Sequence, residues 1–246
     1  MNNTEKVLWV LRRLGEPPFE MGLTELSRNI GYVKSGIYKI MTKLTEKGFV
    51  VQNPGDKKYH LGPAIYILGE IYNYRYGLWE IAKPVMEFLV NLTEETASIA
   101  IKEGDSYTLA YRIDSPHDLR LHGKIGKKYL LNTAAMGKVL AAYDDPEYIK
   151  KYVYNNKLER KTPKTIVDPE KLLKEFEMIK EKGYAISDEE GSLDALGVAA
   201  PIYNKNVIVC ASLGIGGPKS RIGKKRLKNI IKLVVDGANQ ISKKLQ

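Results

Sequence analysis

Residues 31–50, GYVKSGIYKIMTKLTEKGFV, constrain the fold most, because their pattern predicts a helix with two opposed faces. The apolar residues repeat at i, i+3, i+4 and i+7 and form a stripe that faces a core: Ile37, Ile40, Met41 and Leu44. The opposite face carries hydroxyls and a lysine but no carboxylate: Ser35, Tyr38, Lys39 and Thr42. Such a face suits an anionic partner.

The segments on either side predict a helix-turn-helix followed by a wing. Residues 7–14 are amphipathic and stop at a glycine ahead of two prolines, and residues 23–30 form a second short amphipathic stretch that ends at Gly31. After Gly48, the stretches FVV and KYHL flank the turn signal NPGD and predict a hairpin with two lysines at or near its tip. This order of elements in the first 62 residues predicts DNA binding.

The helix and the wing supply the candidate DNA contacts. We expect the helix to enter the major groove with Lys34, Ser35, Gly36, Tyr38, Lys39, Thr42 and Lys43, and the wing to touch phosphate or minor groove with Lys57 and Lys58. Gly36 lacks a side chain, so it lets the backbone approach a groove wall or a phosphate closely. The alternative is that Gly36 only helps the preceding turn.

The overall charge fits this prediction without requiring it. Thirty-nine Lys and Arg against 29 Asp and Glu give a formal charge of +10, which favours a polyanionic partner. A lysine-rich solvated surface explains the same excess equally well. The N-terminus shows no signal peptide and no apolar stretch approaches the ~20 residues of a membrane span, so we expect a cytoplasmic protein with no membrane partner.

Enzymatic sites find little support. GIGGPKS resembles a phosphate-binding loop, but Pro218 lacks the N–H that such a loop needs before its lysine. His117, His122 and the single Cys210 do not compose a zinc site, and Cys210 lies in an apolar run where we expect a buried, inert thiol. The run SDEEG at residues 187–191 is interpreted as solvated acids at a strand end, with an acid/base pair or a site for a cationic or hydroxylated ligand as alternatives. We therefore predict no enzyme, no metal ion and no cofactor.

The remaining chain predicts an α+β protein. Residues 63–77, PAIYILGEIYNYRYG, form an aromatic linker helix with a stripe of Ile65, Leu68, Tyr72 and Tyr76, flanked by Tyr66 and Tyr74. Packing against a second chain is the preferred explanation, and packing within the chain is the alternative. From residue 78 the pattern predicts a helix and then two groups of three strands with helices between the groups. The first group is SIAIKEG, SYTLAYRID and LRLHGKIG, and the second is GYAISDE, LGVAAPIYN and VIVCASLGI. A basic helix follows, and this order suggests an antiparallel sheet covered by helices. The predicted domains are residues 1–62, 63–77 and 78–246.

Over nearly its whole length, the chain resembles the IclR family of bacterial and archaeal transcription regulators, and its archaeal members in particular. LTELSRNIGYVKSGIYKIMTKLTEKGFV and KYHLGPAIYILG resemble that family's winged helix-turn-helix and linker, and LNTAAMGKVLAA, VAAPIYN and CASLGIGGP resemble parts of its effector domain. The resemblance implies a GAF-like effector domain, a small organic effector, a homodimer or dimer of dimers, and a roughly palindromic operator. It places the effector near Ala135, Met136, Gly137, Leu140, Ser187, Asp194, Gly197, Gly214 and Gly216.

This chain departs from the family pattern at several positions. The family usually has Ser-Thr at Ser35-Gly36 and Arg at Lys39, and lysine cannot form the bidentate fork that arginine makes with guanine. Many members carry Gly and Cys at Asp194 and Gly197, and several carry Ser at Gly214 and Gly216. We therefore expect a barer and roomier pocket wall and a different ligand.

A second hypothesis from another class also fits the sequence. It makes the chain a small-molecule enzyme or sensor whose basic N-terminal unit only mediates protein contacts. That hypothesis predicts no salt-dependent DNA binding by residues 1–62.

Overall fold

The chain divides into two compact units, Met1–Tyr76 and Gly77–Gln246. The computed structural model describes residues 1–155 and 158–246, and for residues 74–76 it describes the backbone only. The first unit contains the helices α1 (Asn3–Leu14), α2 (Leu23–Ile30), α3 (Lys34–Glu46) and α4 (Pro63–Tyr76), and the strands β1 (Val50–Gln52) and β2 (Tyr59–Leu61).

Local sequence explains where the first helices begin and end. The side chain of Asn2 accepts a hydrogen bond from the Glu5 N–H, and the Asn2 N–H donates to the Glu5 carboxylate in return, a capping box that starts α1. Gly31 ends α2 in the left-handed conformation with φ of 66°, which glycine adopts without a steric penalty. The chain can therefore turn sharply from α2 into α3.

A single apolar cluster holds the first unit together. The predicted inner face of α3 packs into it, with Ile37 and Met41 fully buried and Leu44 nearly so, while Ile40 is half-buried at its edge. Val10, Leu14, Met21, Leu26, Val50 and Tyr59 complete the cluster. Burial of each large aliphatic side chain contributes about 1.5–3 kcal/mol, so this core favours the packing of α3 on the other two helices.

The hairpin has the predicted antiparallel pairing, with Val50 opposite Leu61 and Gln52 opposite Tyr59. Tyr59 also pairs with Met21, which attaches the hairpin to the segment ahead of α2. The linker helix α4 exposes a run of large apolar side chains that includes Tyr66, Ile67, Leu68, Ile71 and Tyr72. The predicted contributions of the Tyr74 and Tyr76 side chains lie outside the described residues.

The second unit is built on a six-stranded antiparallel sheet in the order β5-β4-β3-β8-β7-β6. Its strands are β3 (Thr96–Glu103), β4 (Ser106–Ile113), β5 (Lys128–Leu130), β6 (Ala185–Asp188), β7 (Ala195–Tyr203) and β8 (Val209–Pro218). Its helices are α5 (Leu78–Thr93), α6 (Ala135–Ala142), α7 (Pro146–Asn155), α8 (Pro169–Lys182) and α9 (Lys224–Leu245). The predicted α+β class is confirmed.

Alternation along the strands gives the sheet two different faces. Ile99, Val198 and Leu213 point to one face, where they pack with residues of α5 and α9. Ala100 and Ala199 point to the other face, where they pack with residues of α6, α7 and α8. Because neighbouring residues of a strand face opposite ways, β3 and β7 each contribute to both cores.

Three predictions for this unit are wrong. LRLHGKIG does not form a strand: the third strand is β5, and residues 114–127 contribute only an isolated bridge between Leu109 and Ile125. The acids of the SDEEG run are not simply solvated, because Glu189 and Glu190 are largely buried and ion-paired. Cys210 is exposed rather than buried, although the surrounding protein raises the pKa of its thiol and so disfavours the reactive thiolate.

Among the described residues of this unit, two charged side chains are fully buried, Lys138 and Glu95. The Lys138 amine on α6 lies 2.8 Å from Glu175 Oε1 on α8, 2.8 Å from Glu190 Oε1 and 2.8 Å from the Ile186 carbonyl oxygen. Glu95 accepts a bidentate pair from Arg221, with Nε–Oε1 of 2.8 Å and Nη2–Oε2 of 2.6 Å. Each buried charge therefore has its own partners and ties segments distant in sequence together.

Lys138→Met should destabilise the second unit by about 3–5 kcal/mol at neutral pH, because Glu175 and Glu190 would then share a buried site without a cation. The deficit should shrink in acid, since protonation removes the unpaired negative charge. Urea unfolding at several pH values measures both effects. The exposed Lys182→Met on α8 is the matched control and should change stability by less than about 0.5 kcal/mol; a Lys138→Met deficit independent of pH would contradict the explanation.

Candidate nucleic-acid interface and effector site

The outer face of α3 is exposed and cationic. Lys34, Ser35, Lys39 and Lys43 are exposed, and Tyr38 is 56% exposed. Thr42 is half-buried and donates its hydroxyl to the Tyr38 carbonyl oxygen at 3.0 Å. Lys43 lies 2.8 Å from Glu46, which leaves Lys34 and Lys39 as the lysines of this face without an acidic partner among the described residues.

The N-terminus of α3 adds a second electrostatic feature. Its N-cap residue is Val33, and no side chain caps the first turn. The first hydrogen bonds of the helix are donated by the N–H groups of Gly36 and Ile37 to the Val33 carbonyl oxygen. The N–H groups ahead of them therefore point outward at the positive end of the helix dipole, an arrangement that binds phosphate oxygens well.

Gly36 has a packing role that both sequence interpretations missed. A Cβ placed on Gly36 would lie 2.2 Å from Cε1 of the Tyr32 ring, far inside contact distance. The ring therefore covers Gly36 on one side, and the glycine is needed to seat that ring. The prediction that Gly36 offers its backbone to a groove wall is corrected on this ground.

The wing presents one of its two lysines differently from the other. Lys58 lies 2.6 Å from Glu20 and 3.7 Å from Asp56, and hydrogen bonding to Glu20 raises the pKa of Lys58. Lys57 is exposed at the hairpin turn in the left-handed conformation, with φ of 59°. Lys57 is thus the less engaged cation of the wing.

A groove of about 720 Å³ runs between α1 and α3. Its floor is apolar and its rim carries lysines of α3: Val7, Leu11, Ile40, Leu44 and Phe49 on the floor, with Lys39, Lys43 and Lys47 along the rim. Tyr32 and Gly36 lie at the end near the start of α3. The groove shows that the space between these two helices is open except where the tyrosine fills it.

In the second unit, cross-strand pairing aligns part of the predicted effector site. Ser187 is opposite Gly197, Gly197 is opposite Gly216, and Gly216 is opposite Thr96. Paired residues share a face of the sheet, so this row lies on the face covered by α6. A Cβ on Gly197 would have only the Ile215 carbonyl oxygen, at 3.7 Å, near it, so there is room for a side chain at this position of the row.

Other predicted effector residues are covered. Ala135, Gly137 and Leu140 are buried in the core under α6, where a Cβ on Gly137 would lie 2.8 Å from the Leu131 carbonyl oxygen. Asp194 is exposed at the start of β7 with φ of 56°. Of the α6 residues, Met136 is half-buried beside the sheet.

The expectation of a roomier wall is wrong at two glycines. The side chain of Met136 comes within 2.8 Å of a Cβ position on Gly214, and Leu121 comes within 3.0 Å of one on Gly216. Thr96 donates its hydroxyl to the Leu121 carbonyl oxygen at 3.3 Å, which holds that residue over the sheet. Neighbouring side chains therefore occupy the volume that a larger residue would take.

Sequence reasoning missed Ser98, which lies on the same face. Ser98 pairs with Gly214 and with Arg112, and both Ser98 and Ser187 are nearly buried. Neither hydroxyl forms a hydrogen bond to another described residue. The Ser212 hydroxyl, in contrast, donates to the Met136 carbonyl oxygen. The polar members of the alternating stretch TASIA were the signal that could have identified Ser98.

An ion-paired cluster lies at the β6 end of this row. Lys219 is 2.6 Å from Asp188 and 2.7 Å from Glu189, and Lys164 also binds Glu189. Hydrogen bonds from Lys164, Lys219 and the Asp194 N–H lower the pKa of Glu189 to about 2. Burial raises the pKa of the neighbouring Glu190, against the opposing effect of Lys138. Within the described residues, no three His, Cys, Asp or Glu side chains are grouped to hold a metal ion.

These features together define a class of protein. A helix-turn-helix with an exposed cationic helix is followed by an α+β unit with polar groups facing a partly open sheet surface, as in a DNA-binding transcription regulator with an effector domain. Among the described helices, none has the length and apolarity to cross a bilayer.

Comparisons with known proteins identify the family. Residues 4–54 match the IclR helix-turn-helix domain and residues 72–243 match the bacterial transcriptional regulator IclR C-terminal domain. The chain is 31% identical over 237 residues to the HTH-type transcriptional regulator KdgR of Escherichia coli K12, covering 96% of this chain and 90% of that protein. The chain belongs to the IclR family.

Solved structures agree with this assignment. The Thermotoga maritima IclR structure has a TM-score of 0.75 at 27% identity and covers 100% of this chain and 99% of that one. An IclR homologue from Microbacterium hydrocarbonoxydans, complexed with 4-hydroxybenzoate, has the same fold, with a TM-score of 0.87 at 20% identity over 98% of this chain and 97% of that one. The predictions of a transcription regulator with an effector domain, and not an enzyme, are confirmed.

Glu189→Gln should change how stability depends on pH. A carboxylate whose pKa is lowered stabilises the folded state above its ordinary value of 4.5 and loses that contribution as pH falls towards about 2. The variant should therefore be less stable than the wild type at neutral pH and should approach it in acid, as measured by urea unfolding. Glu181→Gln on the exposed side of α8 should track the wild type throughout; parallel curves for all three proteins would refute the ion-pair explanation.

Proposed function

We propose that the chain binds a specific DNA sequence through α3 and the wing and that a small organic molecule bound on the sheet face of the second unit modulates this binding. The exposed face of α3 carries the first half of the proposal, because it combines free lysines, hydroxyls and an uncapped N-terminus on one side of a helix whose other side is buried. Lys34, Ser35, Tyr38, Lys39, Thr42 and Lys43 are the proposed contacts of this helix.

The proposed roles differ along the interface. The N–H groups at the start of α3 bind a phosphate, and Lys39, one turn further on, reaches base edges. On the wing, Lys57 binds phosphate directly, while Lys58 does so only after leaving Glu20. Gly36 acts inside the protein, through Tyr32.

Two copies of the chain are proposed to act together on a roughly palindromic operator. The support is the helix α4, whose large apolar side chains stay exposed. An exposed apolar stripe of this kind is typical of an interface, and a homodimer or dimer of dimers covers it without a second type of protein. The helix-turn-helix units of the two copies then recognise two half-sites.

The effector is proposed to lie over Ser187 and Gly197, between Met136, which covers Gly214, and Leu121, which covers Gly216. Ser98 and Ser187 supply unused hydroxyls, and Gly197 supplies room. The IclR homologue from Microbacterium hydrocarbonoxydans is complexed with 4-hydroxybenzoate, which supports a small organic molecule as the kind of effector. For this chain we propose a small organic molecule with hydrogen-bonding oxygens, which acts by stabilising one arrangement of the chain over another.

Lys39→Ala should weaken binding to the preferred duplex by about 1–3 kcal/mol and relax its base preference. The duplex is obtained by selecting from a random library with the wild-type protein, and affinity is titrated at several salt concentrations. Lys47→Ala, at the C-terminal end of the same helix, is the matched lysine control and should leave base preference intact. Selection of random sequences by the wild type would refute sequence-specific binding itself.

Lys57→Ala should weaken all duplexes alike and lower the salt slope by about one counterion, because it removes a phosphate contact and no base contact. Lys58→Ala should have a smaller effect on the slope, since Glu20 already neutralises that lysine. The same titrations measure both variants, and a change of base preference in Lys57→Ala would show that the wing reads sequence.

Gly197→Val should block the effector while leaving the protein folded, because a Cβ at this position meets only the Ile215 carbonyl oxygen, at an ordinary contact distance of 3.7 Å. Ligands are first found by thermal shift of the wild type against small organic acids and related metabolites. Ser187→Ala should weaken the same ligands by removing one hydroxyl. Unchanged ligand-induced shifts in both variants would place the effector elsewhere.

A further inference from the structure

We infer that Tyr32 is a positioning residue that sets the orientation of α3 for DNA, and that Gly36 is glycine because Tyr32 requires it. This inference rests on the proposed function in so far as α3 binds DNA. It assigns to the turn between the two helices a role that none of the predicted contact residues has.

Tyr32 is held by all three N-terminal helices. Its N–H donates to the Ser27 carbonyl oxygen of α2 at 3.1 Å, and its own carbonyl oxygen accepts the Ser27 hydroxyl at 2.6 Å. Its ring lies against Gly36 of α3. The Lys6 amine of α1 sits over the ring, 3.4 Å from the ring centroid.

These contacts favour one position of the ring. The two hydrogen bonds to Ser27 restrain the Tyr32 backbone on both sides of the α-carbon, so the ring can leave Gly36 only by turning about its own side-chain torsions and giving up its contact with Lys6. Lys6 attracts the ring electrostatically, as a cation over an aromatic face does. The third residue of α3 must then have no side chain, because a Cβ there would lie 2.2 Å from Cε1 and 2.9 Å from Cζ of the ring.

The position of this junction links it to DNA binding. Tyr32 immediately precedes Val33 and the first residues of α3, whose N–H groups and side chains form the proposed interface. The rest of the space between α1 and α3 is an open groove. The tyrosine is therefore the spacer that keeps the start of α3 at its distance from α1, and a displaced ring would rotate or shift the residues that contact DNA.

The test is a double-mutant cycle between residues 32 and 36, with Tyr32→Leu, Gly36→Ala and both together in the full chain. Helix propensity alone favours alanine over glycine, so a packing-free account predicts that Gly36→Ala is neutral or stabilising. We expect the opposite: Gly36→Ala weakens binding to the selected duplex by about 10-fold or more. Its binding to random duplex should change little, because the lysines remain.

The double variant should bind the selected duplex more tightly than Gly36→Ala alone, since leucine leaves room for the added methyl group. Lys6→Gln should weaken specific binding by about twofold to fivefold, the loss of one cation–π contact. Gly22→Ala is the matched control, because a Cβ there has no heavy atom within 4 Å. It should bind both duplexes as the wild type does.

Urea unfolding of the wild type, Tyr32→Leu, Gly36→Ala and the double variant gives a second cycle that does not depend on DNA. Non-additive stabilities confirm the packing of Tyr32 on Gly36, and a restored base preference in the double variant confirms its positioning role. Wild-type affinity in Gly36→Ala, or additive effects in both cycles, would overturn the inference. A wild-type protein that selects no sequence would instead refute the proposed function, and the unfolding cycle would still decide whether Tyr32 and Gly36 are coupled.

Discussion

The two-faced sheet of the second unit is the constraint on which the proposed effector site depends. Strand alternation sends Val198 and Leu213 to one core and leaves Gly197 and Gly214 on the opposite face. Apolar cores cover both faces, and on the α6 face the small residues Ser98, Ser187 and Gly197 add hydroxyls and room beside that core. The same division explains why the candidate residues come from β3, β6, β7 and β8, which are far apart in sequence but adjacent in the sheet.

Hydrophobic periodicity predicted most of the secondary structure. The stripes of α1, α2 and α3 and the alternation of β3, β7 and β8 are strong because one side of each element is buried. LRLHGKIG misled for a physical reason: Leu121 packs on the sheet at Gly216, which produces an apolar position in a segment that lies over the sheet and not in it. Alternation reports burial of one side, and it does not report hydrogen-bonded pairing.

The site was less predictable than the fold, because charges and glycines depend on partners distant in sequence. Lys138 and Glu190 look like surface residues in the sequence, and only the fold shows that they neutralise each other in a buried position. The identity of Gly36 suggested a close approach, but the approaching group is the ring of Tyr32 and not a ligand. Lys58 looked free, and Glu20, 38 residues away, holds it.

The contact between Tyr32 and Gly36 also bears on how such a chain changes over generations. Any side chain at residue 36 meets the ring, and loss of the ring leaves a void over the glycine. A lineage can leave this pair of residues readily only if the aromatic ring is lost first or if both codons change together. The order of substitutions at these two positions is thereby restricted, so residues 32 and 36 of this regulator are expected to change together in evolution.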